Sequence, residues 1–142
     1  AKELLHDDIV MMHGDLVFNE TVLEKVIYSK NSVMTISSTL QLPDKDFKAV
    51  IKNNHIEKIG IEFFDHAVTA QPLYKLHKVD WLYWLNEIIR FIKDNNVKCY
   101  AENAFNNVSD QCIIHPLDIE DKLCTEIDTP EDLMYVKKTL RG

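Results

Sequence analysis

A chain of 142 residues is long enough for one compact domain with a real core and too short to expect two, so residues 1–142 are read as a single domain. With 46% hydrophobic and 27% charged residues the composition is that of an ordinary globular protein, and no apolar run approaches the ~20 residues needed to cross a bilayer. A net charge of −7 argues against nonspecific nucleic-acid binding, which needs a basic face, but not against a nucleotide whose charge a cation offsets.

In chain order, Lys2–Asp8 reads as the tail of a helix, with no apolar leader. Ile9-Val10-Met11-Met12 is an unbroken apolar run, as in a strand covered on both faces, and His13-Gly14-Asp15 ends it. Asn19 is placed to cap a helix carrying Val22, Leu23, Val26 and Ile27 up to Tyr28. Ser32–Leu40 is rich in β-branched residues and reads as a strand. Phe47–Lys52 and His55–Ile61 flank Asn53-Asn54, a pair that tolerates positive φ, and read as a hairpin. Ala67–Leu76 is strand-like, with Pro72 marking an edge, a bulge or an end.

Asp80 is expected to cap a helix running to about Asp94 with Leu82, Leu85, Ile88, Ile89 and Ile92 on one face. Val97–Tyr100 reads as a short strand, Glu102–Val108 as a short helix or turn, and Gln111–Leu117 as another strand. The strand-like segment Cys124–Ile127 precedes Thr129-Pro130-Glu131-Asp132, which opens the last helix. This alternation predicts a layered α/β sheet, mostly parallel, with an antiparallel hairpin inserted midway. Cys99, Cys112 and Cys124 are odd in number and widely spaced, and read as buried reduced thiols of a reducing compartment.

Ligands of such sheets sit beyond the carboxyl ends of the strands. Asp15 follows one such end, and Gly14 would allow a tight turn and close ligand approach. A magnesium ion takes one or two carboxylates beside phosphate oxygens and water, and Asp15 fits that need, although Asp also simply favours turns. Helix capping explains Thr129 through Asp132 and leaves Asp128 over, either as a second metal ligand or as a solvated acid favoured by the helix dipole. His13 adjoins Asp15 and would line the same site. Trp84 and Tyr74 could hold an ammonium group by cation–π attraction, but Trp81 and Trp84 also sit at i and i+3, where packing explains them. Glu102 and Asn103 could bind an ammonium or hydroxyls, or cap a helix. Gly14, Gly60 and Gly142 are the only glycines, so no Gly-rich phosphate loop is present.

"HGD" after an apolar strand, "KAVIKNNHIEKIG" in mid-chain and "EIDTPEDL" opening the last helix resemble the sugar-phosphate and phosphocholine-type nucleotidyltransferases, in matching order across nearly the whole chain. The aromatic stretch around Trp81–Trp84 and "YAEN" resemble the cytidylyltransferase branch. The resemblance implies a three-layer Rossmann-like domain whose N-terminal nucleotide-loop part has no counterpart here, so the chain is expected to be a C-terminal part of a cytoplasmic enzyme. It implies a Mg2+ site onto which Asp15 and Asp128 map, CTP or another NTP as donor, and a small phosphorylated acceptor such as phosphocholine, an aminoalkylphosphonate or a sugar phosphate. Pyrophosphate would leave, with neither nucleic acid nor membrane as partner. The other reading is a catalytically incomplete relative acting as a binding module. Exposed edges of a partial sheet would favour a homodimer or domain-swapped assembly.

Overall fold

In the computed structural model, which describes residues 5–140, the first element is β1 (Ile9–Met12). The residues just before it that are described, 5–8, are not helical, and the rest of the expected helix tail lies outside the described residues. A short strand β2 (Leu16–Phe18) leads into α1 (Glu20–Ile27), capped by Asn19, whose side chain accepts from the Thr21 N–H at 2.9 Å. Next come β3 (Val33–Ser37) and the hairpin β4 (Lys48–Lys52) and β5 (His55–Gly60), turned by Asn53 and Asn54 at φ 51° and 61°. The long strand β6 (Ala67–Leu76) precedes α2 (Lys78–Lys93) and α3 (Ala101–Phe105). The chain closes with β7 (His115–Asp118), β8 (Cys124–Glu126) and α4 (Pro130–Thr139).

Three expectations are corrected at this level. Val97–Tyr100 is not a strand: no neighbouring edge pairs with it, and Val97 and Tyr100 are exposed. Asp80 does not cap α2. It lies in the first turn and accepts from the Ser32 hydroxyl at 2.5 Å, while His77 occupies the cap position and bonds the Asp8 carboxylate. Cys112 and Cys124 are buried free thiols, but Cys99 is exposed.

The main sheet runs β5-β4-β6-β3-β7, with β1 also on β6. Helices cover both faces, which gives the expected three layers. Met34 and Ile36 of β3 point to the side of α2 and α3, where Trp81, Trp84 and Phe105 pack, while Val33 faces Val22 and Val26 of α1. Covered on both sides, β3 is buried at every residue. Pairing β3·β7 is parallel, whereas β1, β3 and β4 all run against β6, so the share of parallel pairing is smaller than expected. Pro72 marks a bulge: the register steps from Met34↔Tyr74 to Thr35↔Gln71 and leaves Pro72 and Leu73 unmatched.

Two details of topology create the site. On one edge of β6, β4 pairs residues 67–69 and β1 pairs residues 73–76. Between these stretches the edge changes neighbour, and a notch opens. Beside it, β2 and β8 form a separate antiparallel ribbon, Leu16↔Glu126 through Phe18↔Cys124. That ribbon brings residues far apart in the chain to the carboxyl end of β1.

The outer side of β1 is less covered than its apolar run suggested. Val10 and Met12 are 44% and 43% exposed, while Ile9 and Met11 pack into the core. Among the described residues, β6 is the strand that pairs with β1. No helix of the described chain is long and apolar enough to cross a membrane.

Candidate active site

His13 follows β1, and its N–H donates to the Pro72 carbonyl at 3.2 Å, anchoring the turn in the β6 notch. The ribbon then sets residue 15 against residue 127, with the Ile127 N–H donating to the Asp15 carbonyl at 3.1 Å. One side-chain ligand atom each of His13, Asp15 and Glu126 lies within 4.8 Å of the others. Gly14 between them has no positive φ, and a Cβ added there would meet nothing within 4 Å. The turn, closed by the Leu16 N–H donating to the His13 carbonyl at 3.4 Å, therefore does not require glycine, and the space over residue 14 is open.

His13 is held at both ring nitrogens. Nδ1 lies 2.7 Å from Glu126 Oε1, and Nε2 lies 3.3 Å from Glu102 Oε1. Ionised carboxylates only accept, so both nitrogens carry hydrogen and the ring is an imidazolium. The bonds to Glu102 and then Glu126 raise its pKa to about 10, against an opposing effect of burial. Glu102, only 2% exposed, also accepts from the Tyr74 hydroxyl at 3.0 Å. Burial, then the Glu102 charge, pushes the Tyr74 hydroxyl well above the ordinary tyrosine range, so it stays protonated and donates.

Of the residues expected at the site, the fold gathers His13, Asp15, Glu102 and Tyr74. Tyr74 and Trp84 are both 0% exposed and stack edge-on at 5.5 Å. The Trp84 indole donates to the Ala101 carbonyl at 2.7 Å, so both rings support the site from the core instead of lining it. Asn103 accepts from the Tyr100 N–H at 2.9 Å and serves as a cap of α3. Asp128 is exposed and stands outside the trio of residues 13, 15 and 126, with its N–H directed at Asp132 at 3.2 Å.

Sequence reasoning passed over Glu126, Asp46 and Phe47. Glu126 stands two residues before Asp128 at a strand end, the spacing that puts side chains on one face, and that signal was available. Asp46 lies in the loop before β4. Burial, then the charges of Glu126, Asp128 and Asp132, hold its carboxyl above the usual range. Phe47 packs edge-on against His13 at 5.6 Å and against Tyr100 at 5.0 Å, and Tyr100 is 54% exposed. A cleft of about 290 Å³ opens beside Glu126, between the loop residues Leu40, Gln41, Pro43 and Asp46 and the notch residues Thr69, Ala70 and Gln71, with Thr125 on its wall. Carboxylate, hydroxyl and amide groups line it, and among the described residues no Lys or Arg does.

No family model matches the chain. The aspartate carbamoyltransferase catalytic subunit of Clostridium acetobutylicum is 27% identical over 150 residues, covering 100% of this chain and 48% of the relative. Among solved structures, the inositol-1-phosphate CTP transferase from T. maritima is similar with a TM-score of 0.64 at 20% identity, over 89% of this chain and 51% of that one. The CTP:phosphocholine cytidylyltransferase from Streptococcus pneumoniae gives 0.69 at 11%, over 92% and 57%. The nucleoside-diphosphate-sugar pyrophosphorylase from Vibrio cholerae gives 0.62 at 12%, over 93% and 56%. The chain thus has the fold of part of a nucleotidyltransferase domain, and it spans about half the length of the proteins it matches.

Proposed function

We propose that this chain supplies the cation and acceptor side of a nucleotidyltransferase that moves a nucleotidyl group from an NTP to a small phosphorylated acceptor. The observation that carries the reading is the pairing of β2 with β8, which brings the Asp15 and Glu126 carboxylates together at the carboxyl end of β1. The donor set suits magnesium, a hard ion that takes one or two carboxylates and keeps several waters. His13 fits less well as a ligand, since a ligating nitrogen must be unprotonated and both of its nitrogens donate to carboxylates. Asp15 and Glu126 would hold the ion, and Asp128, whose charge acts on Asp46 as that of Glu126 does, adds to the acidity of this side. When bound, Mg2+ would offset the charge of the triphosphate and of the acceptor phosphate.

The chain's own residues do the positioning that phosphoryl chemistry requires. An acceptor phosphate oxygen attacks the α-phosphorus of the nucleotide, the bond from that phosphorus to its bridging oxygen breaks, and pyrophosphate leaves. The cleft beside Glu126 would hold the acceptor body, with Thr69, Gln71 and Thr125 for hydrogen bonds. Asp46 and Glu126 favour an acceptor with a positive charge beside its phosphate, such as phosphocholine or an aminoalkylphosphonate, over a neutral sugar. The same acids would repel a second dicarboxylate such as aspartate, which weighs against carbamoyl transfer to it. CTP is the donor of two of the structural neighbours, and it is the donor we propose here.

Pyrophosphate release tests the reading, measured with CTP, Mg2+ and each acceptor on the protein from the complete reading frame. Turnover is expected, falling roughly a thousandfold or more in Asp15→Ala. Near-normal turnover in that variant would sink the assignment.

A further inference from the structure

A chain of side-chain contacts crosses four elements behind the carboxylates. Tyr74, in the middle of the sheet on β6, donates to Glu102 Oε1 on α3 at 3.0 Å. The same oxygen lies 3.3 Å from His13 Nε2 at the end of β1, and His13 Nδ1 lies 2.7 Å from Glu126 Oε1 at the end of β8. Tyr74 is fully buried and Glu102 is 2% exposed, so neither can touch a ligand in the cleft. A buried carboxylate is costly unless it is fully engaged, and these two donors are what engage Glu102. Phe47, packed edge-on at 5.6 Å, limits rotation of the His13 ring.

The inner end of this chain is buried in the core and the outer end lies at the cleft. Tyr74 is fixed by packing on Trp84 at 5.5 Å, whereas Glu126 ends a three-residue strand of a two-stranded ribbon. Such a ribbon is marginally stable by itself, so its last side chain needs an external anchor. We propose, on the premise that Asp15 and Glu126 hold the cation, that Tyr74 and Glu102 are positioning residues for Glu126, acting through His13. They set the direction of one carboxylate oxygen toward His13 and leave its other oxygen for the ion. Partners of this kind govern metal affinity without touching the metal.

The test is Mn2+ affinity by electron paramagnetic resonance on the purified chain, with far-UV circular dichroism and thermal midpoint recorded alongside. Tyr74→Phe is the decisive variant, because it removes one hydroxyl, keeps the ring packing and changes no charge. Its Mn2+ dissociation constant is expected to rise about fivefold with secondary structure unchanged. Glu102→Gln is expected to raise it about tenfold or more. The double variant should bind no more weakly than Glu102→Gln alone, since both residues act along one path.

Wild-type binding with unchanged affinity in both variants, or effects that multiply in full, would overturn the positioning role and leave the cation site standing. A wild-type chain that binds no Mn2+ would remove the cation site itself, and this role with it. If Glu102→Gln does not fold, Tyr74→Phe decides alone.

Discussion

His13 binds two carboxylates at once, and the arrangement depends on its proton. The imidazolium has an ordinary pKa of 6.5 in the unfolded chain and about 10 in the fold. A raised pKa means that the folded state holds the proton more tightly. The stabilisation is therefore fully present below pH 6.5 and is lost as pH rises through about 10. The thermal midpoint of the wild type should fall over that window, and the gap separating it from His13→Gln should close. A gap that stays constant across the window would show that the imidazolium is not what ties Glu102 to Glu126.

At this scale the sequence was partly legible. Residues 13 and 15 stood out because a strand end and a turn mark the place where ligands bind. Tyr74 and Trp84 were read as able to hold a ligand, with packing as the other reading for Trp84, and both are in the core: an aromatic in a strand or on a helix face looks the same in sequence whether it packs or binds. Glu126 was overlooked because the next residues so fully explained a helix start.

The last helix shows how an element can be read from local chemistry alone. Thr129 accepts from the Asp132 N–H at 3.2 Å, and the Asp132 carboxylate accepts from the Thr129 N–H at 2.8 Å, the reciprocal box that the spacing predicted. The Thr129 hydrogen bonds hold the Asp132 carboxyl below its usual range. Thr129→Ala should cost about 1 kcal/mol of stability, measured by urea unfolding. No loss would mean that the cap does not hold α4 in solution. The hairpin turn at Asn53-Asn54 and the Asn19 cap were legible for the same reason, since each is settled within a few residues. Val97–Tyr100 failed because a strand needs a partner edge, which a local pattern cannot supply. The Asp80 cap failed because Ser32, distant in sequence, claims that carboxylate.

For the whole molecule, alternation of strands and helices conveyed a layered α/β sheet with an inserted hairpin, and the three layers came from the family resemblance. The alternation did not convey strand sense, which is set by β6 serving as common neighbour to β1, β3 and β4. Nor did it convey the β2–β8 ribbon, since strands of three residues carry almost no periodic signal. Yet that ribbon defines the candidate site. It brings His13 and Glu126, 113 residues apart, into side-chain contact, and a cleft opens beside Glu126 at the notch in the β6 edge.

Asp15 and Glu126 are proposed to form one divalent-cation site. A Mn2+ titration of the wild type, Asp15→Asn and Glu126→Gln tests it most directly. A single wild-type site is expected, weakened at least about tenfold by either substitution. Equal binding in all three proteins would contradict it.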